Sequence, residues 1–294
     1  MSHKLTQNQI IEVIEKYNSG LSAGILSKTY NITPTSIYAL MKRRGINRRS
    51  YSSSSRKYTL NEEYFNVIDS SDKAYFLGFL MADGYNNEKR GVIELSCAEK
   101  DKEILDKLNN LINSNKPIRF VESKDVRSYR IDWCSKKLSN ELLKYGCMQT
   151  KSLKLEFPKL DDKLISHFIR GYFDGDGCIS YSYSLKNNAL GTVFKVVVNF
   201  VSTENFCLYL KEYFEKNINI NSSISCRHPE NNNTNRTLNI SGAIQVSKLM
   251  EWMYKDATIY LQRKKDKFEE SIKIRQNRKE TMDNIRIGRR AITN

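Results

Sequence analysis

Two stretches of the chain decide the fold: YFLGFLMADG at residues 75–84 and FIRGYFDGDG at residues 168–177. Both are mostly apolar, and both end in a small residue, an aspartate and a glycine. Each also carries small residues four positions apart, which are Gly78 and Ala82 in the first stretch and Gly171 and Gly175 in the second. Because residues i and i+4 lie on one face of a helix, the pattern predicts two helices that pack closer than the usual interaxial distance of about 8–10 Å.

The aspartates that end the two stretches, Asp83 and Asp176, are predicted to converge at one end of the helix pair. Each lies before a glycine suited to a left-handed cap, at a helix end where the dipole disfavours negative charge by roughly 0.3–1 kcal/mol. A divalent cation between the carboxylates would offset this cost, and oxygen ligands favour Mg²⁺ over Zn²⁺. Since metal ions held by carboxylates cleave phosphodiesters, the pair predicts a Mg²⁺-dependent site for that reaction.

The two stretches resemble the signature of the LAGLIDADG homing endonucleases. That signature reads apolar, small, Gly, two apolar residues, acid, small, acid, Gly, and residues 76–84 and 169–177 match it. Departures from it include Met81, which stands where the family often has its first acid, and Arg170, which stands where it often has a small residue. The second acid, which is the metal ligand in the family, is present in both copies.

This resemblance implies a single-chain α+β protein with a duplicated αββαββα unit, whose sheets join into one saddle-shaped surface. Helical and strand patterns follow each motif in the same order, in agreement with a duplication. The predicted domains are a helix-turn-helix domain at residues 1–48, a linker at 49–60, LAGLIDADG halves at 61–158 and 159–268, and a basic extension at 269–294.

The family also places a lysine near the scissile phosphate in each half. The matching positions are Lys151, after the last helix of the first half, and Lys264, after the last helix of the second. A cation there would stabilise the charge of the pentacovalent state or polarise water. Because Lys264 and Lys265 are adjacent, the choice between them stays open.

Charge indicates the partner. The chain has 48 Lys and Arg against 33 Asp and Glu, a net charge of +15, which favours nucleic acid. One face of each predicted sheet is polar and free, and a two-stranded ribbon fits the major groove of DNA. The residues expected to contact DNA are Asn86, Glu88, Arg90, Arg119, Arg127 and Arg130 in the first half, and Ser180, Ser182, Lys186, Lys195, Arg227 and Arg236 in the second.

The amino-terminal region reads as three helices. Apolar residues recur at helical spacing over residues 6–17, and Thr33 with Pro34 is typical of the start of the third helix. A helix-turn-helix here would present Thr35, Ser36, Tyr38, Lys42 and Arg43 to the major groove and to phosphates. A helical bundle without a role in DNA binding stays open as the alternative. The serine-rich run at 50–55 predicts a flexible linker.

Several other classes are disfavoured. The six cysteines contain no CxxC pair and there are only three histidines, which argues against a zinc site. The sequence contains neither an apolar run of about 18 residues nor a signal-peptide core. We therefore expect a protein of the cytoplasm or of an organellar matrix that is neither secreted nor held in a membrane.

The sequence thus predicts a monomeric, Mg²⁺-dependent endonuclease that cuts both strands of a long, specific double-stranded DNA site. Two alternatives on the same fold are a catalytically inactive DNA-binding regulator and an intron maturase that acts on RNA. A third keeps the nuclease but moves its site to a PD-(D/E)xK arrangement of Asp83, Glu122 and Lys124. That arrangement leaves Asp176 and the duplication unexplained.

Overall fold

The computed structural model describes residues 5–19, 21–47, 57–123, 126–149, 154–185, 192–226 and 235–292. The chain divides into two compact units, one of residues 1–61 and 109–117 and the other of residues 62–108 and 118–294. Most of the predicted linker, its residues 49–56, lies outside the described residues, as does residue 48.

The first unit contains three short helices: α1 (Gln7–Asn18), α2 (Ala23–Thr29) and α3 (Pro34–Arg43). Each helix is preceded by a capping residue whose hydroxyl oxygen accepts a hydrogen bond from a backbone N–H of the first turn. These capping residues are Thr6, Ser22 and Thr33. Their apolar faces form a buried cluster of Val13, Tyr17, Ala23, Leu26, Ile37, Leu40 and Met41. The predicted three-helix region is therefore present, with the predicted inward face of its third helix buried.

The second unit carries the duplication. Its first half contains α4 (Ser71–Asp83), β1 (Tyr85–Asn87), β2 (Val92–Ala98), α5 (Lys102–Leu111), β3 (Arg119–Ser123), β4 (Val126–Cys134) and α6 (Lys136–Lys144). Its second half contains α7 (Asp162–Asp176), β5 (Cys178–Leu185), β6 (Thr192–Thr203), α8 (Glu204–Ile218), β7 (Ser223–Ser225), β8 (Asn235–Ser241) and α9 (Ala243–Tyr254). The order αββαββα occurs twice, which confirms the predicted fold class.

Each half forms one antiparallel, four-stranded sheet with the same strand order. The first sheet runs β1-β2-β4-β3 and the second runs β5-β6-β8-β7. Side chains alternate between the two faces of a strand, and one face of each sheet is apolar and buried. In the first sheet this face includes Ile93, Leu95, Ile131 and Trp133, and in the second Val196, Val198, Phe200, Leu238 and Ile240.

The opposite faces of the sheets are polar and half-buried or exposed. We call them the open faces, and the ladder register assigns their residues. The open face of the first sheet carries Tyr85, Asn87, Glu94, Ser96, Arg119, Ser128, Arg130 and Asp132. The open face of the second carries Cys178, Ser180, Ser182, Lys195, Asn199, Ser223, Ser225 and Asn239.

The chain ends in one long helix, α10 (Gln262–Ile292). It passes without a break through Phe268, which is fully buried and packs its ring against Phe173 of α7 with centroids 5.3 Å apart. The first turns of α10 therefore belong to the core of the second unit, and the helix continues into the basic segment predicted as an extension. No helix in the described part of the chain is long and apolar enough to cross a bilayer.

Candidate functional site

The motif helices α4 and α7 touch through their backbones. A Cβ atom added at Gly78 would lie 2.1 Å from the backbone oxygen of Phe168, and one at Gly171 would lie 1.9 Å from that of Tyr75. No real Cβ fits at such distances, so glycine is required at both places. The close approach predicted from the spacing of small residues is therefore present.

The same packing continues to the ends of the helices. A Cβ at Gly175 would lie 2.3 Å from the Cβ of Ala82 and 3.4 Å from Oδ2 of Asp83. Asp83 and Asp176 are the last residues of α4 and α7, and both are exposed. The carboxylate of Asp83 therefore lies against the backbone of the residue that precedes Asp176.

The charges of both aspartates act on one neighbour, Tyr172. Burial is the main reason that the pKa of the Tyr172 phenol is raised, and the negative charges of Asp176 and Asp83 raise it further. The hydroxyl donates to the backbone oxygen of Val201 at 2.9 Å. A buried phenol thus lies beside both motif aspartates and stays protonated.

The motif glycines after the aspartates do not form the expected left-handed caps. Gly84 and Gly177 have φ values of −73° and −79°, which is extended backbone. Glycine is needed here for space, because a Cβ at Gly84 would lie 2.6 Å from the oxygen of Leu80 and one at Gly177 would lie 2.1 Å from the ring of Phe173. The chain turns tightly off each helix end and enters the first strand of its sheet.

The first acid of the second motif, Asp174, is buried, in contrast to Asp176. Its Oδ2 accepts hydrogen bonds from the hydroxyl of Tyr75 at 2.7 Å and from the backbone N–H of Leu261 at 2.8 Å. Burial raises the pKa of Asp174 to about 6, against the opposing effect of these two hydrogen bonds. Asp174 therefore holds α4, α7 and the start of α10 together and is directed away from solvent.

Arg170, the residue that departs from the motif, is also buried. Its guanidinium donates to the backbone oxygens of Ile259 at 2.9 Å and Met253 at 2.6 Å. Its Cζ atom lies 5.4 Å from the centre of the Tyr75 ring. The substitution of a small motif residue by arginine thus anchors the connection between α9 and α10 to α7.

Lys264 does not have the position expected of a lysine near the scissile phosphate. Its side chain is 6% exposed, and its ammonium group faces the backbone oxygens at the end of α7. Burial lowers the pKa of Lys264 to about 8, while the charge of Asp174 opposes this shift. Its neighbour Lys265 is directed to Tyr260, with Nζ 4.6 Å from the ring centre. Lys151 lies outside the described residues.

The donor set fits an ion that keeps part of its water shell. Two exposed carboxylates at adjoining helix ends supply oxygen ligands only, and Mg²⁺ is usually bound through one or two carboxylates with several waters. Among the described residues there is no group of three or more His, Cys, Asp or Glu side chains that could hold a metal ion.

The structure places some predicted DNA-contacting residues on the open faces. Arg119 and Arg130 are cross-strand partners on the open face of the first sheet, where Arg119 pairs with Asp132 at 2.7 Å and Arg130 with Glu94 at 3.4 Å. Ser180, Ser182 and Lys195 are exposed on the open face of the second sheet. Arg90 is exposed in the turn between β1 and β2, beside the half-buried Glu88.

Three other predicted contacts are corrected by the structure. Asn86 pairs with Ile93 on the buried face, and its amide donates to the backbone oxygens of Ser139 and Cys147. The side chains of Arg127 and Arg236 also lie on the helix-covered side of their sheets.

The two arginines have acidic partners there. Arg127 pairs with Glu99 at 3.1 Å, and Arg236 pairs with Glu204 at 3.1 Å. Since side chains alternate along a strand, an assignment one residue out of phase places a side chain on the wrong face. Lys186 and Arg227 lie outside the described residues.

Sequence reasoning missed several polar residues of the open faces. The signal was available, because buried residues such as Ile93 and Leu95 fix which positions of a strand face the other way. The missed residues are Tyr85, Asn87, Glu94, Ser96 and Asp132 in the first half, and Asn199, Asn239, Ser223 and Ser225 in the second.

In the first unit, the predicted recognition residues lie on or beside α3. Thr35, Ser36, Lys42 and Arg43 are exposed. Tyr38 is half-buried and packs against the helical core. These residues give α3 an exposed polar and basic surface, and its contact with DNA stays a prediction.

Comparisons with known proteins bear on the fold. Residues 163–252 match the model of the LAGLIDADG-like domain family. The meganuclease I-SmaMI, solved bound to uncleavable DNA with a TTCT central four, is similar at 12% identity and a TM-score of 0.51 over 73% of this chain and 95% of that one. The LAGLIDADG meganuclease I-AabMI, solved bound to uncleaved DNA, is similar at 13% identity and a TM-score of 0.50 over 69% of this chain and 91% of that one.

The fold is therefore that of the LAGLIDADG homing endonucleases. The chain carries two copies of the motif, and its residues 163–252 match the LAGLIDADG-like domain. No curated protein matches it.

Proposed function

We propose that this protein is a sequence-specific DNA endonuclease that cuts both strands of a double-stranded site with Mg²⁺ held by Asp83 and Asp176. The observation that carries the proposal is the contact at the helix ends, where the Cβ position of Gly175 is 3.4 Å from Oδ2 of Asp83. Two exposed carboxylates end the adjoining helices there, in a strongly basic protein.

The chemistry follows from what these residues can do. Asp83 and Asp176 would bind Mg²⁺. Each aspartate would serve the cleavage of one DNA strand. When bound, Mg²⁺ stabilises the negative charge that develops on the scissile phosphate. The close backbone contact between α4 and α7, which only glycine allows at positions 78 and 171, holds the ends of the two helices next to each other.

The open faces supply a surface for the double helix. Arg119 and Arg130 can read guanine through bidentate hydrogen bonds, and hydroxyl and amide side chains can pair with several base edges. On the second sheet, Asn199 donates to Oδ1 of Asn239 at 2.5 Å, which orders two amides on that face. The α3 face of the first unit would add contacts to the same or a neighbouring DNA segment.

The experiment that tests the proposal is cleavage of a plasmid library that carries randomised inserts, with and without Mg²⁺. We expect linear product only with Mg²⁺ and a single long consensus among the cleaved inserts. Retention of DNA without nicking would indicate a binding regulator instead. Preference for a folded RNA over duplex DNA in a competition measurement would indicate a maturase.

A further inference from the structure

One buried ammonium group holds the end of α7. Nζ of Lys264 donates to the backbone oxygens of Phe173 at 2.5 Å, Asp174 at 2.8 Å and Gly177 at 2.8 Å, and it lies 3.2 Å from that of Gly175. An ammonium group has three N–H donors. All of its donors are therefore directed at the backbone of the second motif.

Most of these oxygens need such a partner, although that of Phe173 also accepts the backbone N–H of Gly177 at 2.9 Å. The last carbonyl groups of a helix have no partner within the helix, and a cation near them interacts favourably with the helix dipole. The exposed negative charge of Asp176 at the same end adds to the demand for a cation. Lys264 meets both needs in a position that water hardly reaches, since it is 6% exposed.

The side chain of Lys264 starts from a fixed piece of backbone. Its N–H donates to the oxygen of Leu261 at 3.0 Å, and the N–H of Leu261 donates to Asp174. The preceding residue, Arg263, forms three hydrogen bonds of 2.9–3.0 Å to the carboxylate of Asp101. The first turn of α10 is thus held on both sides, which fixes the backbone from which the Lys264 side chain extends to the end of α7.

We infer that Lys264 is a positioning residue for Asp176 and makes no contact with the scissile phosphate. Its ammonium group fixes the last turn of α7 and the tight turn through Gly177, and thereby the direction of the Asp176 carboxylate. The role of Lys264 in positioning a metal ligand rests on the proposed function. The buried location of its ammonium group does not.

The two roles differ in the salt dependence of DNA binding. A lysine that neutralises one phosphate changes the slope of log Kd against log salt by about 0.9. Removal of a buried lysine that caps a helix end leaves this slope unchanged. It does leave buried carbonyl groups without that partner, and this loss lowers the melting temperature. Lys195, exposed on the open face of the second sheet, serves as the comparison.

The experiment compares Lys264→Met, Lys264→Gln and Lys195→Met in the full chain. Binding to a metal-free DNA duplex is measured at several salt concentrations, and melting is followed by calorimetry. We expect Lys264→Met to melt about 5 °C or more below the unmodified protein with the salt slope unchanged. Lys195→Met should lower the slope and leave the melting temperature nearly unchanged.

The glutamine variant keeps a donor that reaches the carbonyl groups but carries no charge. Part of the lost melting temperature should therefore return in Lys264→Gln, again without a change in slope. If Lys264→Met yields no folded protein, this result supports a buried ammonium group. The salt slope of DNA binding is then measured on Lys264→Gln alone. A slope lowered by about one unit in both variants, with unchanged melting, overturns the inference.

Cleavage supplies the readout for positioning. Where the unmodified protein cuts DNA, Lys264→Gln should need roughly tenfold more Mg²⁺ for the half-maximal rate, because Asp176 is held less firmly; such a factor corresponds to about 1.4 kcal/mol. An unchanged Mg²⁺ requirement contradicts the positioning role. If the unmodified protein never cuts, the proposed function fails, while the melting and salt measurements still locate Lys264.

Discussion

The hydroxyl of Tyr75 in α4 donates a hydrogen bond of 2.7 Å to the carboxylate of Asp174 in α7. This bond crosses from one motif helix to the other in a place that solvent does not reach, as Tyr75 and Asp174 are 0% and 1% exposed. The counterpart of Asp174 in the first motif is Met81, which can offer no such acceptor. The two motifs therefore form similar helices, but only the second motif is held by a buried carboxylate.

Tyr75→Phe should lower the free energy of unfolding by about 1–3 kcal/mol, because a buried carboxylate oxygen loses one of its two donors. Tyr254 provides the matched control, since its hydroxyl is buried without a hydrogen-bond partner among the described residues. Tyr254→Phe should leave stability unchanged or raise it. Urea unfolding of both variants measures the difference, and equal losses would contradict the assigned role of the Tyr75 hydroxyl.

Gly171→Ala should separate the motif helices, because its Cβ would lie 1.9 Å from the backbone oxygen of Tyr75. Overpacking of this kind costs about 1–3 kcal/mol or more, and cleavage should fall with it as the aspartates move apart. Gly24→Ala in α2 is the control, since its nearest neighbour would be 3.8 Å away. A Gly171→Ala protein with unchanged unfolding and cleavage would show that the helices do not pack as described.

The helix pair could be predicted from sequence because its signal is local and repeated. Gly78 and Gly171 occur at the same place in two similar stretches, and only close backbone contact explains small residues at both. The order of strands and helices was likewise readable, since each element has its own hydrophobic period. Each stretch alone would be a weak signal, but their repetition makes the prediction of a helix pair strong.

The side-chain assignments were harder for a physical reason. Strand β1 has only three residues, Tyr85–Asn87, so no alternation shows that Asn86 faces the core. In β8 and β4 the signal was present: Arg236 shares its phase with Leu238, and Arg127 with Ile131. The contacts of Lys264 could not be predicted from the sequence, because its partners lie about 90 positions earlier in the chain and only the fold brings them together.

Arg119→Ala should relax the sequence preference of the first half-site. Loss of a bidentate contact to a base costs about 1–3 kcal/mol of discrimination at one position. The control is Arg127→Ala, because the two arginines have similar side-chain exposures of 59% and 57% but lie on opposite faces of the sheet. Selection of cleaved inserts from a randomised library compares the variants. If Arg127→Ala changes the consensus as much as Arg119→Ala does, the open face is not the reading surface.

The helix-turn-helix prediction is tested on α3. Lys42→Ala with Arg43→Ala removes two exposed cations from its last turn, and should reduce the salt slope of DNA binding by about 1.8 if both contact phosphates. Lys16→Ala is the control, since that cation is already paired with Glu12 at 2.6 Å. An equal effect of the two changes, or none from the α3 pair, would favour a helical bundle without a DNA role.

Asp83→Asn and Asp176→Asn should each abolish double-strand cleavage while largely sparing DNA affinity. The amide keeps the shape of the side chain but loses the charge that holds the metal. Because a carboxylate at a helix carboxyl end is unfavourable, Asp83→Asn should also be more stable than the unmodified protein without metal, by about 0.3–1 kcal/mol. For Asp176→Asn the gain should be smaller, because the ammonium group of Lys264 already offsets the charge at the end of α7.

Addition of Mg²⁺ should raise the melting temperature of the unmodified protein and have a smaller effect on either aspartate variant. Asp106→Asn is the control, as this carboxylate pairs with Lys102 on the surface of α5 at 2.7 Å. Cleavage of a supercoiled plasmid that carries the selected site separates nicked from linear product. Linear product from both aspartate variants would remove these residues from the reaction, since each would then be dispensable for cutting its strand.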